Sequence, residues 1–200
     1  MVIDMEPLNS RPDENDPIWT AANGFVVREN EGALKLINGG REIFRVKVAG
    51  SQTDGQLSLM EGLVAPGFGN IPHAHGAEDE AFYILSGEFR FINGDRTFTA
   101  GPGDFVYIPR GTRHGFKNLG TEEAKLLAFF TPAGAEEFFL QHGDDPDPSG
   151  KMPPAWTAEK FAALGDALDA HRMILLPNGD DWARAAARSE PESREARRTG

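Results

Sequence analysis

The sequence predicts an antiparallel all-β sandwich or barrel followed by short helices. Three observations predict it. Turn-forming dipeptides recur at short intervals between about Ile18 and Thr131, the runs between them alternate or are apolar, and helical periodicity is nearly absent until Gly134.

Residues 1–17 are polar and rich in Pro and Asp, which predicts an extended N-terminal arm. Residues 18–132 are expected to form the barrel. Within them Asn38-Gly39-Gly40, Asp54-Gly55 and Asn93-Gly94-Asp95 sit between apolar or alternating runs, and such pairs supply the positive φ of tight hairpins. About ten short strands follow from this punctuation. Residues 133–179 are expected to be a helical extension packed on the barrel. In it, Gly134 to Gly143 reads as a short helix closed by glycine. After an acidic Pro loop, Asp144 to Gly150, Thr157 can cap a helix to about His171 that shows Phe161, Leu164 and Leu168 on one face. Residues 180–200, rich in Ala, Arg and Glu with few apolar anchors, read as a flexible tail.

The 200-residue chain has no cysteine, so a disulfide framework, a thiolate metal site and a thiol nucleophile are excluded. Its formal charge of −11 argues against nucleic acid and anionic membranes as partners. The N-terminus lacks the basic start and apolar run of a secretory leader, and no run approaches the roughly 18 apolar residues of a membrane span. A cytoplasmic location is the expectation.

Two stretches carry chemistry. In Gly69 to Gly87 two of the chain's five histidines stand as His73-Ala74-His75, and Glu80 opens the apolar run that follows. In a strand, residues two apart face the same way, so both imidazoles project together. A carboxylate at the inner end of an apolar strand is costly to bury unless paired or bound to a cation. In Gly103 to Asn118 a strand ends at Pro109, Gly111 permits a sharp turn, and His114 opens the returning strand.

These stretches resemble the two signatures of the cupin superfamily. Gly67, His73, His75, Glu80 and Gly87 fill the first; Gly103, Pro109, Gly111, His114 and Asn118 fill the second. The resemblance implies a double-stranded β-helix, or jelly-roll barrel. It implies that His73, His75, Glu80 and His114 bind one divalent transition metal inside it. Three imidazoles and a carboxylate suit Fe, Mn, Ni, Co, Zn or Cu. The glycines and Pro109 read as turn formers, and Asn118 as a residue that ties down a turn.

Counting by two from Glu80 places Phe82 and Ile84 on the metal side, and counting from His114 places Phe116 there; Phe130 is a further candidate for an apolar slot beside the metal. The opposite face of the same strand carries Ala81, Tyr83 and Leu85, and Leu126 to Phe130 is apolar on both faces. Two-sided apolarity calls for cover by the terminal segments or a second subunit, so a homodimer is expected. The C-terminal helices either close the barrel mouth, bringing Trp156 and Phe161 to the ligand, or pack outside it. His142 and His171 read as solvated or capping residues.

The chain is similar to the quercetin 2,3-dioxygenase group of cupins, in its donor set and in the continuation from Thr131 into a helix, an acidic Pro loop and a terminal helix. That similarity implies a dioxygenase acting with O2 on a flavonol-like or other enolic aromatic molecule, with Glu80 as catalytic base as well as ligand. The same residues also suit a metal-dependent isomerase, cyclase or lyase that stabilises an enolate, or a non-catalytic small-molecule binder.

Overall fold

The computed structural model describes residues 24–177. The first thirty residues form a unit of their own, of which residues 24–30 are described and hold no strand or helix. The expected arm over 1–17 and tail over 180–200 lie outside the described residues.

Eleven strands form two antiparallel sheets among the described residues. They are β1 (Ala33–Ile37), β2 (Glu42–Val48), β3 (Ser58–Val64), β4 (His73–His75), β5 (Asp79–Ser86), β6 (Phe89–Asn93), β7 (Arg96–Ala100), β8 (Phe105–Ile108), β9 (His114–Asn118), β10 (Ala124–Thr131) and β11 (Met173–Leu175). One sheet runs β1-β2-β3-β10-β5-β8 and the other β11-β4-β9-β6-β7. The fold is an antiparallel barrel, as the turn spacing and strand alternation predict, and specifically the jelly-roll that the cupin resemblance implies.

Alternation sets which side chains meet. Ser58, Met60 and Val64 of β3 and Ala124, Leu126, Ala128 and Phe130 of β10 all point inward and are buried. Phe82, Phe89, Phe91 and Phe116 fill the barrel centre, with Phe82–Phe91 at 5.2 Å and Phe89–Phe116 edge-on at 5.7 Å. Between β6 and β7, Asn93 pairs with Arg96, which leaves Gly94 and Asp95 as a two-residue loop; Gly94 has φ 64. Gly87 also lies in the left-handed region at φ 79, and a Cβ there would collide with Ala124 across the chain.

Asn118 does tie down a turn. It is fully buried; its Nδ2 donates to the carbonyls of Val64 (3.0 Å) and Glu122 (2.8 Å), and its Oδ1 accepts from the Gly120 N–H (2.8 Å). Asn118→Ala leaves all three groups without a side-chain partner. It is expected to lower unfolding free energy by about 2 kcal/mol, readable by urea titration.

After β10 the chain becomes helical. Helix α1 (Ala135–His142) starts after Gly134 and stops at Gly143. Its buried Glu136 accepts from the N–H of Gly50 (2.7 Å) and of Gly134 (2.7 Å), which clamps the helix start to the β2–β3 connection. The helix expected from Thr157 to His171 is two helices, α2 (Ala158–Ala163) and α3 (Gly165–Ala170). Thr157 caps the first, accepting from the Lys160 N–H at 3.2 Å. At Leu164 the N–H is shared between the carbonyls of Lys160 and Phe161, each at 3.2 Å, and the next residue is a glycine, so the α-helical ladder is interrupted there. Leu164 and Leu168 nonetheless stay on one face and pack with Phe138 and Met173. His142 ends the last turn of α1 and His171 is the C-cap of α3, as the capping alternative has it, and both are half-buried beside the Phe138 ring, at 5.3 and 6.1 Å.

The sequence reading contains no strand after α3, yet β11 forms there. It pairs with β4 in the register Met173↔His75, Ile174↔Ala74, Leu175↔His73. Gly76 donates to the Arg172 carbonyl and Leu176 to that of Pro72, each at 2.8 Å, closing both ends of the pairing. Among the described residues no helix is long and apolar enough to cross a membrane.

Candidate metal centre

Four buried donors meet where β4, β5 and β9 come together. His73 and His75 lie on β4, Glu80 on β5 and His114 on β9, directly opposite His73. One ligand atom from each lies within 4.8 Å of every other. His73 Nε2 is 3.1 Å from His75 Nε2, and Glu80 Oε2 is 2.6 Å from His114 Nε2 and 3.2 Å from His75 Nε2.

The orientation of the rings is fixed from behind. His73 Nδ1 donates to the Ile71 carbonyl at 2.8 Å, and His114 Nδ1 donates to the Thr112 carbonyl at 2.9 Å. With the proton held on Nδ1, a neutral ring turns its Nε2 lone pair to the centre. Two imidazole lone pairs 3.1 Å apart repel unless a proton or a cation lies between them. Donors about 2.1 Å from one cation stand about 3 Å apart when adjacent and about 4.2 Å apart when opposed. The 3.1 Å and 3.2 Å separations match the adjacent spacing, and the 2.6 Å His114–Glu80 contact must lengthen. The chemistry of the donor set therefore fits a divalent transition metal.

The protonation pattern follows from burial and mutual charge. Burial and the nearby His114 and His75 push His73 down to about 3, so it is neutral. Burial works against an ionised Glu80, but hydrogen bonds from His114 and His75 outweigh it and hold the carboxyl well below the usual range. Burial likewise disfavours a charged His114, and the Glu80 hydrogen bond and charge overcome it to raise its pKa. Just outside, Asp79 faces away and takes the Arg110 side chain and backbone N–H, each at 2.9 Å; these bonds hold its carboxyl low.

A cavity of about 890 Å3, open mouth included, adjoins the cluster. Phe82, Phe116 and Phe130 line it, and the Phe130 ring stands edge-on to His75 at 5.5 Å. Ile84 is buried but does not line it. It lies one pleat beyond Phe82 and belongs to the barrel core, because β5 runs away from the cluster. The roof of the cavity comes from the C-terminal extension: Phe138, Trp156, Phe161, Leu164 and Leu168 all line it. The extension thus covers the cavity, with Trp156 fixed by Nε1 donating to Asp144 at 2.7 Å.

Besides Glu136, two buried glutamates escaped the sequence reading. Glu78 is 5% exposed, its Oε2 has no hydrogen-bond partner, and it stands 3.8 Å from the equally unpartnered Nδ1 of His75. Burial, its largest influence, raises its pKa. Glu42 on β2 lines the cavity. Alternation signalled both. Glu78 is in phase with Glu80, and Glu42 is in phase with the buried Phe44 and Val46.

His114→Ala is expected to lower transition-metal affinity by about 100-fold or more, since loss of a mere outer-shell partner already costs 10- to 100-fold. Metal content after dialysis measures it, and an unchanged far-ultraviolet spectrum shows the barrel still folded. Wild-type metal content in the variant would remove His114 from the centre.

Residues 60–130 match the family model described as a cupin domain. Over 120 residues the chain is 28% identical to quercetin 2,3-dioxygenase of Bacillus subtilis (strain 168), a match that covers 60% of this chain and 35% of that protein. The chain thus spans about a third of that relative's length. Among solved structures, the polyketide cyclase RemF from Streptomyces resistomycificus has a TM-score of 0.51 at 17% identity, covering 84% of this chain and 100% of that one. KdgF from Halomonas sp. has a TM-score of 0.51 at 18% identity, covering 57% of this chain and 99% of that one. These structural likenesses carry the fold alone, and the family match covers the strands that hold the histidines, so residues 60–130 are similar to a cupin domain on a jelly-roll fold.

Proposed function

We propose that the chain is a metal-dependent dioxygenase that acts on a flat, enolic aromatic molecule of the flavonol type. One observation carries the reading: a buried three-histidine, one-glutamate cluster opens through His73, His75 and Glu80 onto a largely apolar, aromatic-lined cavity. The similarity to a quercetin 2,3-dioxygenase supports it. One divalent transition metal per chain would be held by His73, His75, Glu80 and His114. Bound there, it would supply Lewis-acid polarisation of a substrate oxygen and, for a redox-active ion, one-electron chemistry.

The chain's own residues do the rest. Phe82, Phe116 and Phe130 offer ring faces and edges to a planar guest. The roof from α1 to α3 lines the cavity with apolar side chains, and a low-dielectric wall strengthens the polar contacts made against it. Glu80 is ionised, and as the substrate's enolic O–H enters, its carboxylate is the acceptor for that proton.

The test is turnover of a flavonol panel with Fe-, Mn-, Co- and Ni-loaded protein, in air and without oxygen. Oxygen uptake with ring cleavage is the expected result. Substrate conversion at the same rate without oxygen would replace the dioxygenase by an isomerase, cyclase or lyase, and binding with no conversion would leave a binder.

The protein is also proposed to pair with a second copy. Tyr83 and Leu85 of β5 and Phe105 and Tyr107 of β8 are exposed on one outer face, with Tyr83↔Phe105 directly paired. Strand β8 is an open edge of its sheet. Light scattering on the purified protein is expected to give twice the chain mass, and Tyr107→Lys is expected to shift it toward the monomer.

A further inference from the structure

Apart from Glu80, the cavity wall carries one other carboxylate among the described residues, that of Glu42. It stands at the other end of the same sheet. Inward-facing rungs run from Glu80–Phe130–Ser58, through Phe82–Ala128–Met60–Val46 and Ile84–Leu126–Gly62–Phe44, to Ala124–Val64–Glu42. Glu42 is therefore three rungs from Glu80.

Glu42 is 7% exposed and has no hydrogen bond or ion pair with any described residue. Its partners across the strands are Ile37 and Val64, both apolar, and Phe44 follows it on the inner face. Burial, with no neighbouring charge to offset it, pushes the carboxyl up to about 7. A valine or leucine would suit this position in the alternation and would carry no desolvation cost. A rule of burial broken at a cavity wall points to a role in binding. The only other polar side chain nearby on this hairpin that lines the cavity is Asn38, whose Oδ1 is taken by the Trp156 N–H at 3.0 Å.

We propose that Glu42 is the second polar anchor of the cavity, binding a hydroxyl group at the end of the ligand remote from the histidine cluster. The ligand class is then an elongated, mostly apolar molecule with an enolic oxygen at one end and a phenolic or alcoholic hydroxyl at the other. This deepens the reading of the cavity as a substrate site and rests on it. A hydroxyl fits because it both donates and accepts, as does a carboxylic acid, and it can still donate to a carboxylate. A ligand carboxylate would be repelled by Glu42. A ligand cation would leave a charge pair within an apolar wall, where desolvation offsets the attraction.

The test compares binding of 3-hydroxyflavone, whose only hydroxyl is the enolic one, with that of quercetin, which carries further hydroxyls on both outer rings. Tryptophan fluorescence of the metal-loaded protein reports affinity for wild type, Glu42→Leu and Glu42→Gln. Wild type is expected to prefer quercetin by about tenfold or more, as for a hydrogen bond to a polar group in an apolar wall. Glu42→Leu should abolish the preference while holding 3-hydroxyflavone as tightly as wild type does, and Glu42→Gln, which donates and accepts, should keep most of it. Metal content and the far-ultraviolet spectrum check that the variants are folded. A preference that survives in Glu42→Leu overturns the proposal, as does equal weakening of both ligands or the absence of binding of either by wild type. A Glu42-dependent preference without any oxygen uptake would sustain this anchor while overturning the dioxygenase reading.

Discussion

Glu80→Gln is expected to keep part of its metal and to lose turnover by about 100-fold or more, the usual range for removal of a positioned acid or base. Glutamine has the same shape and retains a carbonyl oxygen able to ligate. It cannot take up the substrate's proton. In the folded chain Glu80 Oε2 sits 2.6 Å from His114 Nε2 and 3.2 Å from His75 Nε2. An amide oxygen can accept both contacts, so the pocket shape survives. The measurement is a pair: metal content per chain, and steady-state oxygen uptake at saturating flavonol. Wild-type turnover in a metal-replete variant would show that the proton goes elsewhere, and Glu80 would be a ligand only.

The second large effect concerns stability. Glu42 is raised from an ordinary 4.5 to about 7 because burial disfavours its charged form. A carboxyl whose pKa is raised on folding binds its proton more tightly in the native state. Its contribution is therefore fully present below pH 4.5 and lost as pH rises through about 7. Across that window the wild type should lose about 3 kcal/mol relative to Glu42→Gln, which does not titrate. Urea unfolding of both proteins at pH 4.5 and pH 8 reads the difference, and groups common to both cancel. Parallel stability at the two pH values would mean that Glu42 is hydrated in the native state, which would also weaken its case as an anchor in a dry cavity.

Much of the barrel is legible from short-range rules. The turn at Gly94 follows from Asn-Gly between two apolar runs, and Gly87 takes the left-handed conformation that its signature position predicts. The histidine pair was visible because strand periodicity puts His73 and His75 on one side. That His114 faces them was visible only through the resemblance, since nothing in 38 intervening residues encodes the β4–β9 pairing. Parity along β5 correctly turned Phe82 inward, but it was silent on depth, and so Ile84 is in the core and not on the cavity wall. The helix expected from Thr157 lost its continuity at Leu164, where a glycine follows and the apolar face is held by tertiary packing. Strand β11 was invisible as three residues carry no periodicity, and it exists because β4 offers an unpaired edge.

By itself, then, the sequence determined the alternation of faces, the turns, and which donor types stand on a shared strand face. Those are local properties, fixed by φ preferences and a two-residue repeat. Only the tertiary structure decided that the C-terminal extension roofs the cavity, that Glu78 backs His75, and that Glu42 looks unpartnered into an apolar space. Each of those depends on which surface lands on which, and burial of a carboxylate becomes informative only when every group around it is known.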